Sequence, residues 1–249
     1  MTDFDKLLAS LPTPGIDERP PYVEMDADQK RRAAMDGKWE ASLLDPKNDT
    51  EKRVKYVLEN LCGMHLKKDG DYVTIPGGRL VWQKKISDYV GSTPGNERNY
   101  HTYVEVKGIS PGNRFSFVRL DKSNKPGEPS QHEKLSDAWD AGNLVFLVIG
   151  WWLAPRNTKP IKIEKNNKVY TKWKKSELEL EIDLIPWSRW LKFYTNTKAR
   201  SLTKTQSITH FADCLITKAG REWAMASDHW WNRRYEVWSP VYGTKLIAG

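Results

Sequence analysis

The stretch "SDYVGSTPGNERNYHTYVEVKG", residues 87–108, decides how this chain is read. "HTYVEVKG" alternates with the period of a strand: Tyr103, Glu105 and Lys107 share one face, and Thr102, Val104 and Val106 the other. The valines therefore pack inward while Glu105 and Lys107 project side by side. Asp88 stands near the end of the preceding strand, and a hairpin through "GSTPGNERNY" returns the chain so that the carboxylates of Asp88 and Glu105 meet. Two carboxylates beside a backbone carbonyl, with that of Val106 as the candidate, make a hard-oxygen site. Such a site suits magnesium, which takes few protein ligands and keeps several waters. Lys107 is then placed to orient a metal-bound water or to stabilise charge on a phosphate. The pattern acid-x-Lys by itself says little, since it also occurs at Asp28–Lys30, Asp36–Lys38 and Asp45–Lys47. Only Glu105–Lys107 lies on an alternating strand with an Asp on its neighbour. The competing structural reading is a surface ladder in which Glu105 and Lys107 pair with cross-strand charges.

Outward from this hairpin, the pattern of elements is α/β. "NDTEKRVKYVLENLCG" reads as a helix capped by Asp49 or Thr50, with Val54, Val57, Leu58 and Leu61 at helical spacing and Gly63 as its stop. "YVTI" and "RLVWQKKISDYVG" read as strands around a "PGG" turn, and "RFSFVRL" as a further strand. "SQHEKLSDAWDAG" is a short helix ending at Gly142. "LVFLVIGWW" is a continuous apolar run, the mark of a strand buried on both faces. The order of helix, strands, helix and buried strand predicts a mixed sheet flanked by helices.

In that order the chain resembles the PD-(D/E)XK nuclease superfamily, and within it the RecU-type Holliday junction resolvases. The resemblance spans about residues 50–152 and rests on "TEKRVKYVLENL", "SDYVG", "YVEVKG", "SQHEKLSDAWDAG" and "LVFLVIGW" in sequence. It implies a restriction-endonuclease-like fold and a metal-dependent DNA endonuclease. Asp88 and Glu105 become metal ligands, Lys107 the catalytic lysine and Gln131 the supporting polar residue at the helix start. Glu51 becomes the helix acid, its spacing fitting better than that of Glu59; its ordinary role would be a first-turn glutamate on the helix dipole. The implied cofactor is Mg2+, with Mn2+ able to substitute. His101 and His132 read as hydrogen-bonded bystanders. Two departures bear on junction resolution: the segment between the first helix and Asp88 is short, and a basic Trp-rich region follows residue 156. A restriction-type, sequence-specific endonuclease and a non-catalytic nucleic-acid-binding or assembly protein are the alternatives.

Charge supports a polyanionic partner. The formal net charge is +8. Residues 1–150 hold 22 Lys and Arg against 23 Asp and Glu, whereas residues 151–249 hold 18 against 9, so the excess lies wholly in the last hundred residues. This divides the chain into a proline-rich lead-in (1–48), a nuclease core (49–155) and a basic region (156–249) that serves as DNA grip or oligomerisation surface. Residues 151–249 hold nine of the twelve tryptophans. Lys172, Lys174, Lys175, Arg233 and Arg234 are the candidate phosphate contacts, and Trp173, Trp230 and Trp231 the candidate stacking surfaces. The bland reading makes the tryptophans a local core. "SELELEIDLIPW" is expected to be an amphipathic strand with Glu177, Glu179, Glu181 and Asp183 on a solvated face. Cys62 and Cys214 form no framework and read as reduced thiols of a cytoplasmic protein. No signal peptide and no bilayer-spanning run is expected. Cutting both strands of a duplex makes a homodimer the default.

Overall fold

The computed structural model describes residues 35–227 except 36, 71, 75–79, 83–84, 96–98, 124–125, 166–167 and 221, and for residues 72–74, 80–82 and 165 the backbone alone. The chain divides into two compact units at residues 42/43. In the first, residue 35 and residues 37–42 are helical. Residues 1–34 and 36 of the lead-in, together with Trp230, Trp231, Arg233 and Arg234, lie outside the described residues.

The second unit is mixed α/β. Seven strands form one sheet in the order β1 (His65–Lys68), β4 (Tyr89–Thr93), β5 (Tyr100–Ile109), β7 (Leu144–Leu153), β10 (Glu179–Pro186), β12 (Leu215–Ala219) and β13 (Glu222–Met225). Only β5 and β7 pair in parallel. Two-stranded pairings join β2 (Tyr72–Thr74) to β3 (Leu80–Trp82), β6 (Phe115–Ser116) to β11 (Ser201–Leu202), and β8 (Ile161–Lys165) to β9 (Lys168–Lys172). The helices are α1 (Pro46–Cys62), α2 (Val118–Asp121), α3 (Gln131–Asp140), α4 (Trp187–Asn196) and α5 (Lys204–Phe211). Strands β10, β12 and β13 extend the sheet beyond β7, so residues on both sides of position 155 share one sheet and one core. No described helix is long and apolar enough to cross a membrane.

β7 is buried along its length as its unbroken apolar run predicts, and Leu153 alone is partly exposed. α1 starts earlier than its apolar pattern indicates. Asp45, not Asp49 or Thr50, is the cap: its carboxylate accepts from Lys47 N and Asn48 N, and Pro46 takes the first helical position, where no N–H is needed. Thr50 is instead buried, accepting a 2.8 Å hydrogen bond from Trp152 Nε1. It lies over Gly108 of β5 and Gly150 of β7, where an added Cβ would stand 2.5 Å from Thr50 Oγ1 and 2.3 Å from Thr50 Cγ2, respectively. Glycine at both positions lets α1 lie directly on the sheet. Gly63, at φ 64°, closes the helix as expected.

Three expected strands differ. "RLVWQKKISDYVG" is broken: β3 ends at Trp82, and β4 begins at Tyr89, because Asp69 Oδ2 accepts from Ile86 N and Ser87 N and holds a bend there. "RFSFVRL" is a strand only at Phe115–Ser116 and then turns into α2, which lets Phe115, Phe117 and Leu120 all bury. In β10 the acidic face is solvated only at its start. Asp183 is buried and accepts from Trp151 Nε1 and Ser207 Oγ, both at 2.5 Å, with Lys204 Nζ at 3.3 Å. That pairing removes the need for water.

The tryptophans inside the described part of the basic region are structural. Trp187 and Trp190 are fully buried, and Trp190 packs against Phe115, Phe117, Phe193 and Tyr194. Trp151 and Trp152 are buried in β7, and Trp173 and Trp223 pack on the core's edge.

Candidate active site

β4 and β5 run antiparallel with Tyr89 opposite Val104, so Asp88, the residue just before β4, comes beside Glu105. Asp88 Oδ2 accepts from Val106 N at 2.9 Å, and its Oδ1 pairs with Lys85 Nζ at 2.8 Å. Glu105 Oε1 pairs with Lys107 Nζ, and its Oε2 accepts from Gln131 Nε2 at 3.1 Å. Gln131 also donates to Ile86 O. It is the first residue of α3, held there by a capping box in which Ser130 Oγ accepts from Glu133 N and Glu133 Oε2 accepts from Ser130 N. Of the sequence-derived site residues, Lys107 and Gln131 thus touch Glu105 directly, and Asp88 lies within electrostatic reach of Glu105 and Lys107.

Burial separates the two carboxyls chemically. Glu105 is 3% exposed and Asp88 5%. Burial pushes Glu105 up, Lys107 opposes this, and the charge of Asp88 adds to it, leaving the group at about 7. Burial also pushes on Asp88, but the Lys85 ion pair, the charge of Lys107 and the Val106 N–H outweigh it and hold Asp88 below the usual carboxylate range. Lys85 is raised: burial lowers it, and Asp88, Glu105 and Glu51 more than compensate.

Glu51 and Glu59 part company. Glu59 sits at the far end of α1, pairing with Lys55 and accepting from Leu66 N at 3.3 Å. Glu51 is 3% exposed, pairs with Lys68 through Oε2, and its Oε1 has no hydrogen-bond partner. It approaches from α1, which covers the Val106 and Gly108 face of β5, while Gln131 approaches from the Glu105 face. Lys85 senses Asp88, Glu105 and Glu51 alike. Among the described residues, however, no three His, Cys, Asp or Glu side chains gather closely enough to hold a metal by themselves. Carboxylate oxygens are the hard donors that magnesium takes, and Asp88, Glu105 and the unpartnered Oε1 of Glu51 offer them.

Sequence reading missed two residues here. Lys85, three before Asp88, carried no signal beyond its spacing. Arg119, on α2, donates to Gly108 O at 3.3 Å and feels both Glu105 and Asp88, with burial lowering its proton affinity. His101 bonds Asn143 Oδ1 at 3.2 Å; His132 stacks on Tyr194 and Trp187, and burial lowers its proton affinity. Neither touches the carboxylate pair.

Of the proposed DNA contacts, Lys172 is exposed, Lys174 pairs with Glu177 at 3.5 Å, and Lys175 pairs with Asp49 at 2.9 Å. Trp173 is half-buried, and its carbonyl accepts from Leu44 N at 2.8 Å.

No protein-family model matches this chain, and no curated protein sequence matches it.

Proposed function

We propose that this chain is a metal-dependent DNA endonuclease of the PD-(D/E)XK kind, hydrolysing phosphodiester bonds, with Asp88 and Glu105 as its magnesium ligands. The observation that carries this reading is the buried pair itself: two carboxylates side by side, one held low and the other raised to about 7, each fixed by its own lysine. Two carboxyls pushed apart in proton affinity are characteristic of reacting sites.

Each neighbour then has a task. Gln131 and Lys107 fix the orientation of Glu105, and Val106 N and Lys85 fix that of Asp88. The Val106 carbonyl completes the donor set. Magnesium, when bound, would lower the charge on the scissile phosphate and make an attacking water more acidic. Lys107 would donate to the oxygen on which charge grows in the transition state. Glu51 would serve as the auxiliary acid, and its buried, unpartnered Oε1 supports that part of the reading. Junction resolution, with branched DNA as substrate and a homodimer supplying one site per strand, is the finer form of the proposal.

One observation favours a different reading. Every oxygen of Asp88 and Glu105 already meets a donor of the chain, so the group could serve as a closed buried ion network in a non-catalytic nucleic-acid-binding protein. Nicking of supercoiled plasmid in magnesium separates the two. The wild type should nick, and Asp88→Asn and Glu105→Gln should not, while both keep DNA binding in calcium. Full nicking by either variant refutes the site. Discrete bands from a long duplex would favour the restriction-type alternative over junction resolution.

A further inference from the structure

Among the described residues, the hairpin of β8 and β9 joins no other sheet. All five residues of β9 are exposed, Val169 at 66%, and Lys162 and Glu164 of β8 are exposed as well. Residues 156–175 hold eight Lys and Arg against the single acid Glu164. Among the described residues, Lys159, Lys162, Lys168 and Lys172 form no ion pair. An isolated two-stranded ribbon buries too little to stand on its own account, and here nothing in the described chain covers it. Its base is nevertheless fixed. Leu44 N donates to Trp173 O at 2.8 Å, Leu43 bridges to Lys174, and Lys175 pairs with Asp49.

We infer that this ribbon is an arm that enters the major groove of duplex DNA and holds it for the carboxylate pair. Its dimensions fit: five residues span roughly 17 Å and two strands stand about 4.8 Å apart, against a major groove about 12 Å wide that admits a two-stranded ribbon. Its charge is two-sided. Ile161 pairs with Lys172 and Lys162 with Thr171, so Lys168 and Lys172 project from one face and Lys162, beside Glu164, from the other. A ribbon with cations on both faces meets the phosphates on both walls of a groove, whereas one lying flat on a surface needs them on a single face.

The base of the arm leads toward the site. Lys172 lies within electrostatic reach of Asp45, the cap of α1. Asp45 and Lys47 line an open depression of ≈ 440 Å³ together with Gly108, Arg114 and Arg119. Arg119 in turn donates to Gly108 O and lies within electrostatic reach of Glu105 and Asp88. Lys47, Arg114 and Arg119 thus continue the cationic track from the ribbon to the carboxylates. The inference deepens the nuclease reading by naming the duplex as what is held, and its test is run with cleavage silent.

The experiment measures affinity against salt in calcium for a 20-base-pair DNA duplex and for RNA of the same sequence. The proteins are the wild type, the arm variant Lys162→Gln/Lys168→Gln/Lys172→Gln, and a charge control, Lys192→Gln/Lys198→Gln/Lys218→Gln, altered at exposed positions elsewhere. Each lost phosphate contact lowers the slope of log K against log salt by about 0.9. The arm variant should therefore lose up to about 2.7 of slope on DNA, and the control almost none. Duplex RNA, whose major groove is too narrow for such an arm, should bind more weakly, and the arm variant should change its slope little. An unchanged slope on DNA, an equal loss in the control, or an equal loss on RNA would each overturn the inference. Magnesium-dependent nicking is scored separately, so an intact slope change without nicking would remove the nuclease reading and leave the arm.

Discussion

Glu105 links the site to stability in a way that can be measured without substrate. Its carboxyl rises from an ordinary value of 4.5 to about 7 because it is buried. A raised acid favours the folded state while it is protonated there. The contribution is complete below 4.5 and is lost as the pH rises through about 7. At about 1.36 kcal/mol per pH unit the full span is roughly 3 kcal/mol, most of which falls between pH 5 and pH 8. The perturbation is Glu105→Gln, and the quantity is the difference in unfolding free energy between wild type and variant, from urea titrations at pH 5, 6, 7 and 8. Taking the difference matters. Asp183 is also raised by burial, and its contribution runs in the same direction, but it is common to both proteins and cancels. Asp88 is held low, so its contribution is lost only as pH falls through the acid range, below this window. The cost of leaving Lys107 without its partner offsets the two curves by a constant. The wild type should therefore lose roughly 2–3 kcal/mol relative to Glu105→Gln from pH 5 to pH 8, and magnesium at pH 8 should restore stability to the wild type alone. A flat difference across this range would refute the account of Glu105. Equal stabilisation of both proteins by magnesium would refute its role as a ligand.

Lys107→Ala should lower the cleavage rate by about a hundredfold or more with little change in DNA affinity; single-turnover rates and calcium-phase binding check this, and a loss confined to affinity would make it a simple phosphate contact. Asp88→Asn should abolish nicking while binding in calcium holds or tightens, because a charge repelling phosphate is gone; a filter-binding titration beside the plasmid assay decides. Gly108→Ala should destabilise the fold by at least about 3 kcal/mol, since its Cβ would stand 1.6 Å from Pro46 O and force α1 off the sheet; thermal unfolding reads it, and a shift of a degree or less would mean that α1 does not lie where described.

What was legible in the sequence followed from local periodicity and local chemistry. The apolar run of β7, the alternation of β5 and the Ser130–Glu133 box that starts α3 each sit within a few residues, and each forms as its residues dictate. The illegible parts depend on partners distant in sequence. Strand β1 has a short, mostly exposed pattern and exists because it pairs with β4. The bend before Asp88 depends on Asp69, eighteen residues before Ser87. Asp183 continues an acidic alternation yet is buried, because Trp151, Ser207 and Lys204 come from other elements to meet it. In the site, Glu105 and Lys107 are neighbours by alternation alone, whereas Lys85 and Arg119 reach it only through the bend and through α2.

The burial of Glu105 decides one question that alternation leaves open. A surface ladder of Glu105 and Lys107 requires a solvated face, where paired charges cost little and add little. β5 is instead hydrogen-bonded on both edges, to β4 and β7, and Gln131 at the start of α3 covers its Glu105 side. At 3% exposure Glu105 cannot belong to such a ladder. Its charged form is maintained by Lys107 and Gln131 against the desolvation that lifts it to about 7. A fold gains nothing from a carboxylate so placed that an apolar residue of similar size would not supply more cheaply. The same carboxylate becomes an asset once a cation shares it, because the charge that burial disfavours is then the charge that binds. The central position of β5 in the sheet is thus both what makes Glu105 costly to the empty fold and what would make it a strong, dry ligand.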